Sequence, residues 1–148
     1  MKKLLQQITP TYDPWEAYLD VEEYGKNMLT NVEFTTTTIC NMRCEHCAVG
    51  YTLQPKDPNP LPTQLVLNRL EEIEKLRCIS ITGGEPMLSN KMLNGYVVPL
   101  LKYAHERGVR TQINSNLTLD FERYEKIIPY LDVLHISHNW GTVDEFVE

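Results

Sequence analysis

Three cysteines of this chain lie on one short stretch, at Cys40, Cys44 and Cys47. The spacing C-x3-C-x2-C brings three thiol groups within reach of one metal centre. A closed zinc site or a fully ligated iron–sulfur cluster takes four protein ligands. Because this loop is one ligand short, an external molecule can bind the metal at the remaining position. The spacing therefore predicts a metal centre that takes part in chemistry rather than one that only stabilises a fold.

The fourth cysteine, Cys78, lies apart in an apolar segment. Three cysteines crowded into one loop are a poor fit to two disulfides, whereas in a reducing compartment such a cluster is more often a metal site. We interpret Cys78 itself as a small buried hydrophobic residue.

Polar residues follow three further strand-like segments, at the point where each segment ends. In parallel α/β folds, ligands bind at the carboxyl ends of the strands, so these residues predict one binding surface together with the cysteine loop. Each residue also has a simpler explanation when it is considered alone. Gly83 and Gly84 could only form a tight turn, and Glu85 could be a solvated charge. Asn116 and Ser137 could be turn or capping residues. The residues are Gly83, Gly84 and Glu85 after the second strand, Asn116 after the third, and Ser137 after the fourth.

The elements that must position these residues alternate along the chain. Strands are predicted at residues 31–39, 78–82, 110–116 and 133–139 from their β-branched and aromatic content. Apolar periodicity predicts helices from a cap at Thr63, from near Tyr96 to Gly108, and from a cap at Asp120 to Pro129. A further helix is expected to open at Thr142 or Asp144. The alternation predicts an α/β fold with a parallel sheet.

The first thirty residues are predicted to be a separate extension with one short helix. Asp13, Pro14 and Glu16 have the order of an N-cap, a first-turn proline and a capping-box acid, and Gly25 would end the helix. We therefore assign residues 1–30 to the extension and residues 31–148 to the main domain.

Charge and hydropathy limit the kinds of partner that this chain can have. The chain has a net charge of −6 and no cluster of Lys and Arg, which argues against a nucleic-acid partner. No apolar stretch approaches the length of about 20 residues that a membrane span needs. We expect a cytoplasmic protein with no membrane partner.

The cysteine loop followed by a strand ending in Gly83-Gly84-Glu85-Pro86 resembles the radical S-adenosylmethionine (radical SAM) superfamily, over about residues 31–148. The run CNMRCEHC matches the family pattern C-x3-C-x-φ-C, with His46 in the usual aromatic position. The resemblance implies that Cys40, Cys44 and Cys47 hold three irons of a [4Fe–4S] cluster. It implies that S-adenosyl-L-methionine (SAM) chelates the fourth iron.

The resemblance also implies a set of SAM contacts. Gly83, Gly84, Glu85 and Pro86 match the motif whose backbone and acid receive the SAM amino group. Ser115 and Asn116 match a Thr-Asn pair at the end of the third strand, and Ser137 matches a serine that meets the ribose or carboxylate. The chain departs from the family where Asn116 is followed by Leu117 instead of glycine, and where Ser137 is followed by His-Asn-Trp-Gly. Within the superfamily it resembles the bacterial YfkAB-type proteins.

By this resemblance the protein is an enzyme that cleaves SAM reductively to a 5′-deoxyadenosyl radical, which abstracts hydrogen from a substrate that the sequence does not identify. Radical SAM cores resemble a partial (βα)6 barrel, and this chain supplies four strands. We therefore expect the N-terminal part of a barrel, truncated, that a partner chain or a missing C-terminal half completes.

Two other functions are compatible with the residues. One is a zinc-binding module that uses the three cysteines and His46, although adjacent ligands such as His46 and Cys47 rarely chelate one tetrahedral ion well. The other is a catalytically inactive barrel fragment that acts as an interaction protein. Metal content separates the first of these from a radical SAM enzyme, and SAM cleavage separates the second.

Overall fold

The computed structural model describes residues 17–56 and 61–137, and side chains from Val21 onward. Its four strands are parallel and form one sheet in the order β1-β2-β3-β4, with helical segments between them. This confirms the predicted α/β fold. The strands are β1 Asn31–Thr35, β2 Cys78–Thr82, β3 Arg110–Ser115 and β4 Val133–Ile136. The α-helices are α1 Ala17–Tyr24, α2 Thr63–Glu71, α3 Asn90–Met92, α4 Val98–Glu106 and α5 Phe121–Glu125.

The core lies between one face of the sheet and the helices. Ile79, Ile81 and Ile113 alternate with polar residues along β2 and β3, so they share the helix-facing side and are fully buried there. Leu100 and Leu101 of α4 are buried in the same cluster. Each such side chain contributes about 1.5–3 kcal/mol on burial. The apolar core thus fixes which side chains face the opposite, polar side of the sheet.

The strand register brings the carboxyl ends of the strands to one edge. Thr35 at the end of β1 lies opposite Thr82 at the end of β2, and Ser115 at the end of β3 lies opposite Ile136 at the end of β4. The loops that carry the predicted site residues therefore all leave the sheet on the same side.

The second predicted helix begins earlier than expected. Asn90–Met92 is helical, a π-helical turn at Leu93–Val97 follows, and Val98–Glu106 continues the helix to Gly108, whose φ is 67°. Pro99 has no N–H to donate to the Gly95 carbonyl four residues earlier. The hydroxyl of Thr63 donates to that carbonyl instead, at 2.6 Å. Pro99 thus lies in the first turn of α4, and the helical segment that α4 continues begins earlier, at Asn90.

Other boundaries differ in smaller ways. Thr63 is the first residue of α2 and not its cap, since its hydroxyl is engaged with Gly95. Strands β1 and β3 end before residues 39 and 116, at Thr35 and Ser115, and β4 ends at Ile136, while residues 138 and 139 of its predicted range lie outside the described residues. Gly25 ends α1 with φ 68°, as predicted. The predicted capping residues at Asp13 and at Thr142 or Asp144 lie outside the described residues.

The third predicted helix does not bury all of its apolar residues. Tyr124 and Ile127 are buried, whereas Phe121 and Ile128 are mostly exposed. A 3-10 turn, Ile128–Tyr130, contains Pro129 and ends this region. Among residues 17–56 and 61–137, no helix has both the length and the apolar character to cross a membrane.

Candidate functional site: a cavity at the carboxyl ends of the strands

A cavity of about 540 Å³ lies where the strands end, a size usual for small-molecule sites. Its lining includes every residue predicted for the site except Pro86, which is buried in the turn after β2. The structure thus brings together residues that are far apart in the sequence. These lining residues are Cys40, Cys44, His46, Cys47, Gly83, Gly84, Glu85, Ser115, Asn116 and Ser137.

The cysteine loop forms one wall of the cavity. All three cysteines are free and partly buried, and His46 is exposed beside them. The loop is turned back on itself by the bond from the Cys47 N–H to the Cys44 carbonyl at 3.1 Å. Arg43 donates through one guanidinium nitrogen to the carbonyls of Cys40 and Met42, both at 2.8 Å. These local bonds hold the thiols on one side of a compact loop.

The two glycines after β2 do more than make a tight turn. A Cβ on Gly83 would lie 2.5 Å from the Thr37 carbonyl oxygen, and a Cβ on Gly84 would lie 2.0 Å from that of Ile39. Gly83 also has φ 141°, which side chains rarely allow. The space is taken by the segment that leads from β1 to Cys40. Both positions must therefore be glycine for the cysteine loop to lie against the end of β2.

Two hydrogen bonds join the turn after β2 to the segment that precedes Cys40. The Gly84 N–H donates to the Thr37 carbonyl at 2.9 Å, and the Glu85 N–H donates to the Ile39 carbonyl at 2.8 Å. The turn after β2 therefore holds the residue that directly precedes Cys40.

Glu85 is buried, with 1% of its surface exposed, which excludes the alternative that it is only a solvated charge. Its Oε1 accepts from the Met87 N–H at 3.1 Å and from the Ser115 hydroxyl at 2.9 Å. Its Oε2 accepts from the Asn116 N–H at 2.8 Å. Burial raises the pKa of this carboxyl, and the three hydrogen bonds partly oppose the rise. The acid links the ends of β2 and β3.

Ser115, which lines the cavity, belongs to a chain of hydrogen-bonded side chains with Glu85 and Tyr124. Because its hydroxyl donates to Glu85, it accepts from the Leu117 N–H at 3.1 Å and from the Tyr124 hydroxyl at 3.0 Å. Burial raises the pKa of Tyr124, which keeps the phenol in its protonated, donating form. The side chain of Ser115 is thus occupied within the protein, and its backbone carbonyl accepts from the Ser137 N–H at 2.9 Å.

Asn116 connects the end of β3 to the cysteine loop. Its side chain donates to the Oδ1 of Asn41 at 2.9 Å, and its Oδ1 accepts from the Thr118 N–H and hydroxyl at 3.1 and 2.7 Å. Asn41 in turn donates to the Thr118 hydroxyl at 2.7 Å. Asn116 thus forms part of the turn after β3, and through Asn41 its side chain also reaches the cysteine loop.

Sequence reasoning missed Asn41, Thr118 and Tyr124. The signal for Asn41 was its place directly after Cys40, and the signal for Thr118 was the departure at Leu117. Leu117 has φ 56°, the left-handed conformation that glycine adopts without cost. The backbone of this chain therefore keeps the turn that Asn-Gly would make, with leucine in the glycine position. His138 and the residues after it lie outside the described part of the chain.

The donor set fits an iron–sulfur cluster with one open position. Three cysteine side chains line one cavity, and thiolates are the ligands that such clusters take. In the described ranges, no three side chains of His, Cys, Asp or Glu are grouped so that they could hold one metal ion. An iron–sulfur cluster does not need three side chains around one metal ion, because each of its thiolate ligands binds a different iron.

The family model that describes the radical SAM superfamily matches residues 34–147. The chain belongs to the radical SAM superfamily. Members of this superfamily use a [4Fe–4S] cluster and SAM, which are the cofactors predicted from the motifs. This match confirms the resemblance to the family that was predicted from the motifs. The roles of Cys40, Cys44 and Cys47 and of the other site residues stay predictions.

Among relatives of this radical SAM chain is YfkA of Bacillus subtilis (strain 168). The two are 80% identical over 144 residues, which cover 97% of this chain and 39% of YfkA. The chain thus spans about two fifths of the length of this relative, and the predicted likeness to YfkAB-type proteins is confirmed.

Two solved structures share the radical SAM fold with this chain. Streptococcus suis SuiB bound to S-adenosylmethionine is 18% identical with a TM-score of 0.55, over 80% of this chain and 27% of SuiB. BtrN in complex with AdoMet and 2-DOIA is 16% identical with a TM-score of 0.60, over 79% of this chain and 49% of BtrN. These likenesses support the interpretation of the four-stranded sheet as part of a TIM-like barrel.

Proposed function

We propose that this chain carries the cofactor-binding part of a radical SAM enzyme. Cys40, Cys44 and Cys47 would hold a [4Fe–4S] cluster, and SAM would lie across the cavity against the turns after β2, β3 and β4. When bound, these cofactors supply one-electron chemistry, in which SAM is cleaved to methionine and a 5′-deoxyadenosyl radical that abstracts hydrogen from a substrate. The observation that carries the proposal is the lining of one cavity by all three cysteines and by the ends of β2, β3 and β4.

The chain's own residues would bind and orient the two groups. The three thiolates would leave one iron for SAM, and His46 lies beside the cysteines on the cavity wall. Gly83 and Gly84 present backbone without side chains, so the amino-acid part of SAM can approach closely. Glu85 is the acid predicted to receive the amino group. Since both of its oxygens already accept protein hydrogen bonds, we assign it mainly to fixing the backbone of Asn116.

Ser137 would contact SAM from the end of β4. It is exposed on the cavity lining, and its N–H is held by the Ser115 carbonyl, so its hydroxyl can be offered to a ligand. Pro86, buried below the turn, would shape the backbone rather than touch the cofactor.

We assign the substrate contacts and the completion of the barrel to residues outside this chain, either a further part of the polypeptide or a partner. Support comes from the two fifths of YfkA that the chain covers and from the absence of another strand beside β1 or β4 within the described ranges. We propose a cytoplasmic location, because thiolates that ligate iron must stay reduced.

The test is anaerobic reconstitution of the chain with iron and sulfide, followed by reduction and addition of SAM. We expect about four irons and four sulfides per chain, as the cluster requires. We also expect a change in the electron paramagnetic resonance (EPR) spectrum on adding SAM, and formation of 5′-deoxyadenosine. Zinc in place of iron would contradict the proposal, and so would a cluster whose spectrum ignores SAM.

Substitution of one cysteine tests the ligand assignment. Cys44→Ala should lose the cluster, because a thiolate ligand is removed. Cys78→Ala is the matched control, since Cys78 is buried among β-strand residues outside the cavity and burial raises the pKa of its thiol. It should keep the iron and sulfide content of the wild type. Equal iron content in the two variants would show that Cys44 is not a ligand.

A further inference from the structure

We propose that Asn41 is a positioning residue that fixes the first cluster ligand, Cys40, in register with the SAM-binding ends of β2 and β3. The inference deepens the proposed function and rests on it. Asn41 occupies an unspecified position of the cysteine motif, and its side chain bonds to residues 75 and 77 positions later in the sequence.

The contacts of Asn41 form a closed ring of three side chains. Asn116 donates to Asn41 at 2.9 Å, Asn41 donates to Thr118 at 2.7 Å, and Thr118 donates to Asn116 at 2.7 Å. Each side chain donates once and accepts once, so no bond competes with another and both amides have one defined orientation. Asn116 is buried, whereas Asn41 and Thr118 are exposed, so the ring lies at the solvent edge of the site.

The ring is anchored to the sheet through Glu85. The Asn116 N–H donates to Glu85 Oε2 at 2.8 Å, and the Glu85 N–H donates to the Ile39 carbonyl at 2.8 Å. Starting from Ile39, a closed path therefore runs through Cys40 and Asn41, across to Asn116, and back through Glu85. Cys40 lies inside this path and is held by a neighbour on either side.

Cys44 and Cys47 are held differently. In the part of the chain that the structure describes, their backbone bonds stay within the loop, as between the Cys47 N–H and the Cys44 carbonyl and between the Gly50 N–H and the Cys47 carbonyl. One ligand is therefore tied to the strand ends, while the other two are tied to each other. The bonds of Asn41 are the link through which the loop keeps its place relative to the turn after β3.

Leu117 supports the geometry of the ring. Its left-handed conformation, φ 56°, brings Thr118 back toward Asn116, whose Oδ1 accepts the Thr118 N–H at 3.1 Å. A leucine in this conformation costs about 1–2 kcal/mol. The surrounding bonds must supply that free energy, which is the pattern expected where backbone strain serves a site.

The test compares Asn41→Ala with Asn68→Ala, a matched control on the exposed surface of α2. Both variants are reconstituted, and their iron and sulfide contents and the SAM-dependent change of the EPR spectrum are titrated. Asn41→Ala should keep the cluster, but its Kd for SAM should rise about tenfold, a loss of the order seen in metal affinity or activity when a residue that orients a metal ligand is removed. An unchanged Kd would overturn the proposal. Loss of the cluster would also overturn it, because Asn41 would then hold the loop together instead of positioning it.

Variants at Thr118 separate the ring from a general loss of structure. Thr118→Val breaks two bonds of the ring and should raise the Kd for SAM, whereas Thr118→Ser keeps the hydroxyl and should restore the wild-type value. The double variant Asn41→Ala/Thr118→Val should be no weaker than Asn41→Ala, because both remove the same link. Additive losses would contradict a shared role.

A wild type whose cluster does not respond to SAM would count against the proposed function and not against the ring. Amide hydrogen exchange over residues 39–43 then decides. Asn41→Ala should exchange faster there than Asn68→Ala by about tenfold, and equal rates would overturn the inference.

Discussion

At the scale of single residues, the site depends on backbone contacts as much as on side-chain chemistry. The Ile39 carbonyl oxygen occupies the space that a side chain on Gly84 would need. The carboxylate of Glu85 accepts hydrogen bonds from three donors of the same chain. The residues that a sequence motif marks for a cofactor are here also those that join the cysteine loop to the sheet.

Gly84→Ala tests that close approach. A methyl group 2.0 Å from a carbonyl oxygen forces the two segments apart, so we expect a loss of about 2–3 kcal/mol in the free energy of unfolding and poor cluster retention. The measurement is urea unfolding together with iron content after reconstitution.

Gly95→Ala is the matched control for Gly84→Ala. Nothing lies within 4 Å of the added Cβ, and alanine favours helical segments, so stability should stay equal or rise slightly. Equal effects of the two substitutions would contradict the structural reason given for Gly84.

The buried carboxyl of Glu85 gives the chain an unusual pH dependence. Because burial raises its pKa, the folded chain binds this proton more tightly than the unfolded chain does. Its contribution to stability is therefore fully present below the ordinary glutamate pKa of about 4.3 and falls as pH rises toward the folded value. Unfolding of the wild type should lose stability with rising pH relative to Glu85→Gln, which cannot titrate. A constant difference between the two curves across that range would contradict the shift.

At the scale of elements, the helical segment before β3 shows how a local defect is repaired by a neighbour. The π-helical turn Leu93–Val97 directly precedes the helix that contains Pro99, and the carbonyl that proline leaves without a donor is taken by Thr63 from the start of α2. The helix so formed buries Leu93, Val97, Leu100 and Leu101, which lie in the core that supports β2 and β3.

Thr63→Val tests this repair. The substitution keeps the shape of the side chain but removes the hydroxyl that donates to Gly95, so we expect a loss of about 0.5–1.5 kcal/mol in the free energy of unfolding. Thr52→Val is a control, because the hydroxyl of Thr52 bonds only within its own exposed turn. If Thr52→Val lowered the free energy of unfolding as much as Thr63→Val does, the bond between the two helical segments would stabilise the fold no more than a local bond.

At the scale of the whole molecule, the sequence predicted what periodicity and local spacing control. The alternation of strands and helices, the parallel sheet and the loop with Cys40, Cys44 and Cys47 follow from patterns within a few residues. The bond between Asn41 and Asn116 joins residues 75 positions apart, and no local pattern reports it. The burial of Glu85 was missed for the same reason, since it depends on how the ends of β2 and β3 meet. Helix starts were missed where a tertiary bond, such as that of Thr63, replaced a cap.

The contact of the glycine turn with the segment before Cys40 also makes the shape of the cysteine loop depend on the sheet. Thr37 and Gly84 are 47 positions apart in the sequence, so the loop gains its final path only after β2 has formed beside β1. A zinc finger can fold around its metal because its ligands are local. The three cysteines of this chain are local as well, but the path of their loop depends on a strand that comes later in the sequence. The final arrangement of the three thiols therefore belongs to the folded sheet and not to the cysteine loop alone.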